Sequence, residues 1–233
     1  MTGRSRRRGP GRPRVEARGE RRSGIEPREE ILDVCAGLFA QRGFAATSTR
    51  DIAEAVGIRQ ASIYYHFPSG KEEILADLLQ RSIRPTLERV EKIEALGAET
   101  GTGPEALLYL LTILDVRTLA GLPHNSGLLS LLPEVHRTEG YEPFGTARDD
   151  LGAAYARFGN QIPAGSPNEE TEVLGDLLLE LAQITIGLRS RGHRITPRIE
   201  ALIAGLCLWA CDADQTAIAH AATEAADLIR ALE

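Results

Sequence analysis

A chain of 233 residues, 42% hydrophobic and 26% charged, is long enough for a small domain with a larger one beside it. Its longest apolar stretches, such as Ala106 to Leu114, are too short for a membrane span, and the N-terminus carries no apolar signal segment, so the expectation is a cytoplasmic protein with no membrane partner. Three irregularly spaced cysteines fit a reducing compartment, and few aromatics with abundant Ala, Leu and Glu favour an all-α fold.

The formal net charge of −6 hides an asymmetry. Residues 1 to 28 hold ten arginines against three glutamates, a net of +7, which leaves −13 on the remainder. Residues 1–27 are expected to form a disordered basic arm that meets a polyanion, because Gly, Pro and Arg dominate it and little in it can be buried. Within it, Pro10-Gly11-Arg12-Pro13-Arg14 resembles the Gly-Arg-Pro core of an AT-hook. Arg12 and Arg14 are therefore candidate minor-groove contacts, since narrow A·T tracts attract arginine. The alternative is a tail that raises affinity for any DNA.

Beyond the arm, Glu29 to Gln41 shows a helical face of Ile31, Leu32, Cys35, Leu38 and Phe39, ended by Gly43. The next stretch, STRDIAEAVGIRQASIYYHFPSGK from Ser48 to Lys71, organises the rest of the chain. Ser48 and Asp51 are spaced as a capping box, and Ile52, Ala53 and Val56 share one face. Gly57 stops this first helix where the chain must reverse. The second helix has only Ile63 and Phe67 to turn inward. Arg59, Gln60, Ala61, Ser62, Tyr64, Tyr65 and His66 are left outside, a set that buries poorly but reaches base edges and phosphates in a major groove. A solvated amphipathic helix is the plainer alternative.

These residues resemble the DNA-binding region of the tetracycline-repressor (TetR) family. Thr49, Ile52, Ala53, Gly57, Ile58, Ile63, Tyr64, His66 and Phe67 match its pattern, with Ser69 and Lys71 in the following turn. The resemblance implies that Thr49 and Arg50 meet DNA at the start of the first helix, and that Gln60, Ala61 and Ser62 enter the groove. It further implies that Tyr64, Tyr65 and His66 hold the backbone and that Lys71 contacts a phosphate. Gly70 departs from the pattern, since many members place Lys directly after Ser or Asn. The resemblance covers residues from about 28 to 75 and implies a helix-turn-helix domain over 28–75, with a helical ligand-binding and dimerisation domain over 76–233.

Ser69 and Glu72 read as a second capping box, starting a helix that runs toward Leu96 and is kinked or broken at Pro85. Gly97 to Gly103 reads as a linker. Helices are then expected at about 104–120, 125–131, 142–159, 168–190, 197–211 and 214–232.

A small-molecule effector, and no cofactor, is expected for the second domain. Candidate ligand-binding residues are the polar or aromatic exceptions inside apolar helices: Tyr109, Asp115, Arg117, His124, Arg148, Asp149, Tyr155 and Trp209. A pocket with one Arg–Asp pair among aromatics suits a hydroxylated aromatic or a carboxylate; surface or interhelix salt bridges are the competing reading. Cys207 and Cys211, one turn apart, read as core rather than metal ligands. Apolar stripes run through Val173, Leu174, Leu177, Leu178, Leu181, Ile184 and Leu188, and through Ile218, Ala221, Ala222, Ala225, Leu228 and Ile229; the resemblance implies that these two helices from each subunit make a four-helix dimer interface.

The sum of these features is a homodimeric regulator on a palindromic operator in double-stranded DNA, a repressor released by its ligand. The other non-enzymatic reading is an architectural DNA-binding protein that senses no ligand. No nucleophile–base pair, metal-ligand cluster or phosphate-binding glycine loop is present in the sequence to suggest an enzyme.

Overall fold

The structure is a computed structural model describing residues 26–162 and 171–232. Among these residues all regular structure is helical, as composition suggests. Helix α1, Pro27–Arg42, starts on a proline whose missing N–H costs nothing at a first turn. It buries Ile31, Leu32, Cys35 and Phe39. Helices α2 (Thr49–Val56) and α3 (Gln60–His66) follow. Helix α4, Lys71–Thr100, joins them to the body. The body comprises α5 (Pro104–Gly121), a kinked 3₁₀ segment (Pro123–Leu131), two short 3₁₀ turns and α6 (Glu142–Asn160). It is completed by α7 (Thr171–Ser190), α8 (Pro197–Ala210) and α9 (Gln215–Leu232).

Helix α5 is the axis of the body. Leu107, Leu108, Leu110, Leu111, Ile113 and Val116 are buried on every side of it, because α4, α6, α7, α8 and α9 all pack against it. A helix apolar all round belongs inside, and the placement agrees. No single described helix is long and apolar enough to cross a membrane.

Three expectations for α4 require correction. The helix is not capped by Ser69 and Glu72: Gly70, at φ +66°, precedes it, and Glu73 instead accepts from the Ser69 N–H at 3.0 Å. A side chain at Gly70 would sit 3.2 Å from the Tyr64 ring, so the glycine serves both a left-handed turn and a close approach. Nor does Pro85 end the helix, which runs through it. Ser82, Ile83, Thr86, Val90 and Ile93 are buried along this stretch, and that packing on α5 and α6 outweighs one lost ladder bond. Finally, Gly97 lies within the helix. A Cβ there would come within 2.6 Å of Leu107, so it permits close helix packing, and the stop is Gly101 at φ +68°.

Candidate nucleic-acid interface and effector core

The reading head is built by short-range chemistry. Ser48 Oγ accepts from the Asp51 N–H at 3.2 Å, while an Asp51 oxygen accepts from the Ser48 N–H at 2.8 Å, completing the capping box. The Ser48 hydroxyl also donates to the Asp51 carboxylate, and that bond, with the one from the Ser48 N–H, holds the carboxyl below its usual range. Gly57, at φ +78° and ψ +27°, turns the chain, and Ile52, Ile63 and Phe67 lock α2 and α3 into the core.

Gln60 Nε2 donates to Thr49 Oγ1 at 2.9 Å, and the same hydroxyl lies 3.4 Å from the Tyr64 hydroxyl. The first residue of α2 is thereby tied to α3, at its first residue and one turn further on. Arg50, Arg59 and Ala61 are exposed, and Ser62 and His66 half-buried. Tyr65 is 82% exposed, edge-on to the His66 ring at 5.0 Å. A tyrosine that exposed gains little from burial and leaves its hydroxyl free to solvent. Lys71 is placed differently. Its ammonium donates to the carbonyls of Phe44 and Thr47, both at 3.1 Å, and lies 4.4 Å over the Phe44 ring. It braces the loop before α2. The candidate arm contacts Arg12 and Arg14 fall outside the described residues.

In the body, the eight candidate ligand residues do not converge. Asp115 and Tyr155 do come together: the Tyr155 hydroxyl donates to Asp115 at 3.1 Å, and Thr86 Oγ1 donates to the other oxygen at 3.2 Å. Asp115 is wholly buried, and desolvation pushes its carboxyl up to about 7 despite the two hydrogen bonds, which pull the other way. A small cavity beside it is lined by Ser82, Ser130, Phe144, Leu179, Gln183 and Ile186, among others. Tyr109 is buried on the same helix α5. The other five lie elsewhere. Arg117 pairs with Glu200 at 2.9 Å, and Arg148 pairs with Glu180 at 2.6 Å and lies 3.6 Å from Asp176. Asp149 and Trp209 face outward. His124 Nε2 lies 3.3 Å from Asp33 of α1. The expected Arg–Asp pair is thus replaced by a lone buried carboxylate held by hydroxyls, and the salt-bridge reading holds for Arg117 and Arg148. Cys207 and Cys211 are buried free thiols, pushed up to about 12 and about 11 by desolvation, in keeping with core.

The family profile described as "Bacterial regulatory proteins, tetR family" matches residues 31–78, the head and the start of α4. Over 81 residues the chain is 41% identical to the transcriptional repressor KstR2 of Rhodococcus jostii, a match spanning 35% of this chain and 39% of that one. The chain thus spans about two-fifths of the length of this curated relative. The crystal structure of Mycobacterium smegmatis AmtR is 34% identical and superposes with a TM-score of 0.77, covering 91% of this chain and 98% of that one. The chain belongs to the TetR family. AibR, crystallised with isovaleryl coenzyme A and operator DNA, shares the fold at 19% identity and a TM-score of 0.56, covering 78% of this chain and 98% of that one.

In this TetR-family chain exposed apolar residues lie on α7, as expected, and on α8. Val173, Leu177 and Ile184 of α7 are exposed, as are Leu202, Leu206 and Trp209 of α8. Of the α9 stripe, Ala221, Ala225 and Leu228 are buried against the rest of the subunit, where α9 packs on α5, and Ile218, Ala222 and Ile229 are half-buried. Its alanines do permit close approach, but within the chain. The sequence also gave no notice of the bonds that fix the head on the body. Arg81 grips Glu29 through two hydrogen bonds of 2.8 and 2.6 Å, and Arg28 meets Asp77 at 2.5 Å. These partners are about fifty residues apart, so no local pattern marks them.

Proposed function

We propose that this chain is a sequence-specific, DNA-binding transcriptional repressor of the cytoplasm, acting as a homodimer on a palindromic operator and released by a small molecule. The observation that carries the reading is the bonded set Thr49, Gln60 and Tyr64 beneath an otherwise unpartnered outer face of α3. Residues 28–75 form the reading head and 76–233 the regulatory body. The exposed apolar residues of α7 and α8 supply the dimer contact, which spaces two heads for two half-sites.

The effector enters beside Asp115. The cavity there is only about 10 Å³, so an effector must widen it; a hydroxyl suits Asp115 better than a carboxylate, because it can share a hydrogen bond with that carboxyl without burying a second acidic group beside it. AibR, bound to an acyl coenzyme A and to operator DNA, is a family-fold precedent for ligand and operator on one protein.

Binding to an operator library tests the base-reading part. Gln60→Ala is expected to cost about 1–3 kcal/mol on the preferred operator and to relax preference at one base pair in each half-site. Tyr65→Phe is expected to weaken all operator variants alike, since phosphate contacts carry no sequence information. A changed base preference in Tyr65→Phe, with none in Gln60→Ala, would place α3 differently in the groove.

The arm is tested by deleting residues 1 to 22, which removes nine of its ten arginines. The slope of log affinity against log salt is expected to flatten, because it scales with the phosphates neutralised. Equal weakening on specific and non-specific DNA marks a plain tail; selective loss on A·T-flanked operators marks minor-groove reading by Arg12 and Arg14. An unchanged slope means the arm does not touch DNA.

A further inference from the structure

His124 and Asn125 are consecutive, carry side chains and sit at φ +49° and +53°. Left-handed backbone is costly for such residues and persists only where its surroundings hold it. Asn125 is held from the side of α7: its Nδ2 donates to the Ile186 carbonyl at 3.0 Å, and its Oδ1 accepts from Arg189 Nη1 at 3.0 Å. Arg189 also donates to the carbonyls of Leu119 and Leu122, at 2.8 and 2.7 Å, closing the C-terminal end of α5. Two residues on, a Cβ at Gly127 would lie 3.1 Å from Ile186, so the 3₁₀ segment lies flush on α7. His124 serves the opposite partner. Its ring reaches Asp33 and rests 3.6 Å from where a Cβ on Gly37 would stand, both on α1.

One dipeptide therefore grips α7 with one side chain and α1 with the next. Beyond the buried face of α1, its first turn is pinned where Arg28 and Glu29 meet Asp77 and Arg81. The contacts at Asp33 and Gly37, roughly 6–12 Å further along, add a second fixed point that resists tilting of α1 on its apolar face.

We propose that His124 and Asn125, locked by Arg189, are positioning residues that fix the reading head against α7 and so set the separation of the two heads in the dimer. The consequence for operator spacing rests on the operator reading above; the positioning itself does not.

Spin labels on Glu54→Cys and Asp150→Cys, both exposed sites, report head-to-body distance in full-length chain mixed with excess unlabelled protein. The native cysteines are buried and stay unlabelled. The parent is expected to give a narrow distance distribution, which Asn125→Ala and Arg189→Ala broaden and Arg189→Lys partly restores. His124→Gly keeps the left-handed turn at lower cost, so it folds while losing the α1 contact, and it is expected to broaden the distribution without lowering Tm. On operators with one base pair added between half-sites, which turns the second by roughly a tenth of a turn, the parent should lose affinity about tenfold and these variants far less. A narrow distribution in folded Asn125→Ala and His124→Gly overturns the inference. If the parent binds no palindrome, the operator reading fails while the distance measurement still decides this one.

Discussion

Leu206→Glu and Leu177→Glu are expected to give folded monomers that no longer hold an operator. Both side chains are large, apolar and exposed, at 39% and 47%, so a charge there costs the isolated subunit little. In an interface the same carboxylate would be buried unpaired, a cost of several kcal/mol. Losing the second head removes the gain of bivalent binding, on the order of 10²–10⁴ in affinity. Light scattering at micromolar concentration, followed by operator titration, reads both steps. Leu228→Glu is the informative contrast. Leu228 is 6% exposed within the subunit, so its replacement should lower Tm sharply rather than release a native monomer. A dimeric Leu206→Glu together with a folded, monomeric Leu228→Glu would return the interface to α9.

The second large effect is a pH dependence that belongs to Asp115. Its carboxyl is raised from 3.8 to about 7 in the folded chain, mainly by burial. Between those values the folded state keeps a proton that the unfolded state has released. Stability from this group is therefore full below about pH 4, falls as pH rises, and is gone above about 7. The span amounts to about 4 kcal/mol at most. Glu29, whose carboxyl is lowered chiefly by its Arg81 hydrogen bond, works in the opposite sense and loses stability as pH falls. The diagnostic quantity is thus the difference between the parent and Asp115→Asn, measured by urea unfolding from pH 5 to 8. Asp115→Asn should be relatively more stable at pH 8 than at pH 5, and should bind operator normally while responding weakly to effector. A pH-independent difference would mean that Asp115 is ionised throughout.

The head was legible in the sequence because its determinants are local. A capping box spans four residues, Gly57 marks its own turn, and the excess of Gln60, Tyr64 and Tyr65 on a helix with two inward anchors shows in the order of residues alone. The all-α class, the helix-turn-helix and the core placement of Cys35, Cys207 and Cys211 followed from periodicity and composition. What a residue does far from its neighbours in sequence did not. Gly97 looks like a linker until Leu107 is packed against it, and Pro85 looks like a break until α5 and α6 hold both flanks of its helix. The polar residues of the body share one sequence signature, a charge or ring within an apolar run, and tertiary packing sorted them. Asp115 turned inward to Tyr155 and Thr86, Arg117 and Arg148 outward to carboxylates, and His124 toward the reading head. Likewise α7, α8 and α9 are all apolar-faced, and the position of α5 decided that Ala221, Ala225 and Leu228 of α9 turn inward while α7 and α8 keep exposed apolar residues. Periodicity says that a helix has a buried side; which neighbour buries it is a property of the assembled chain.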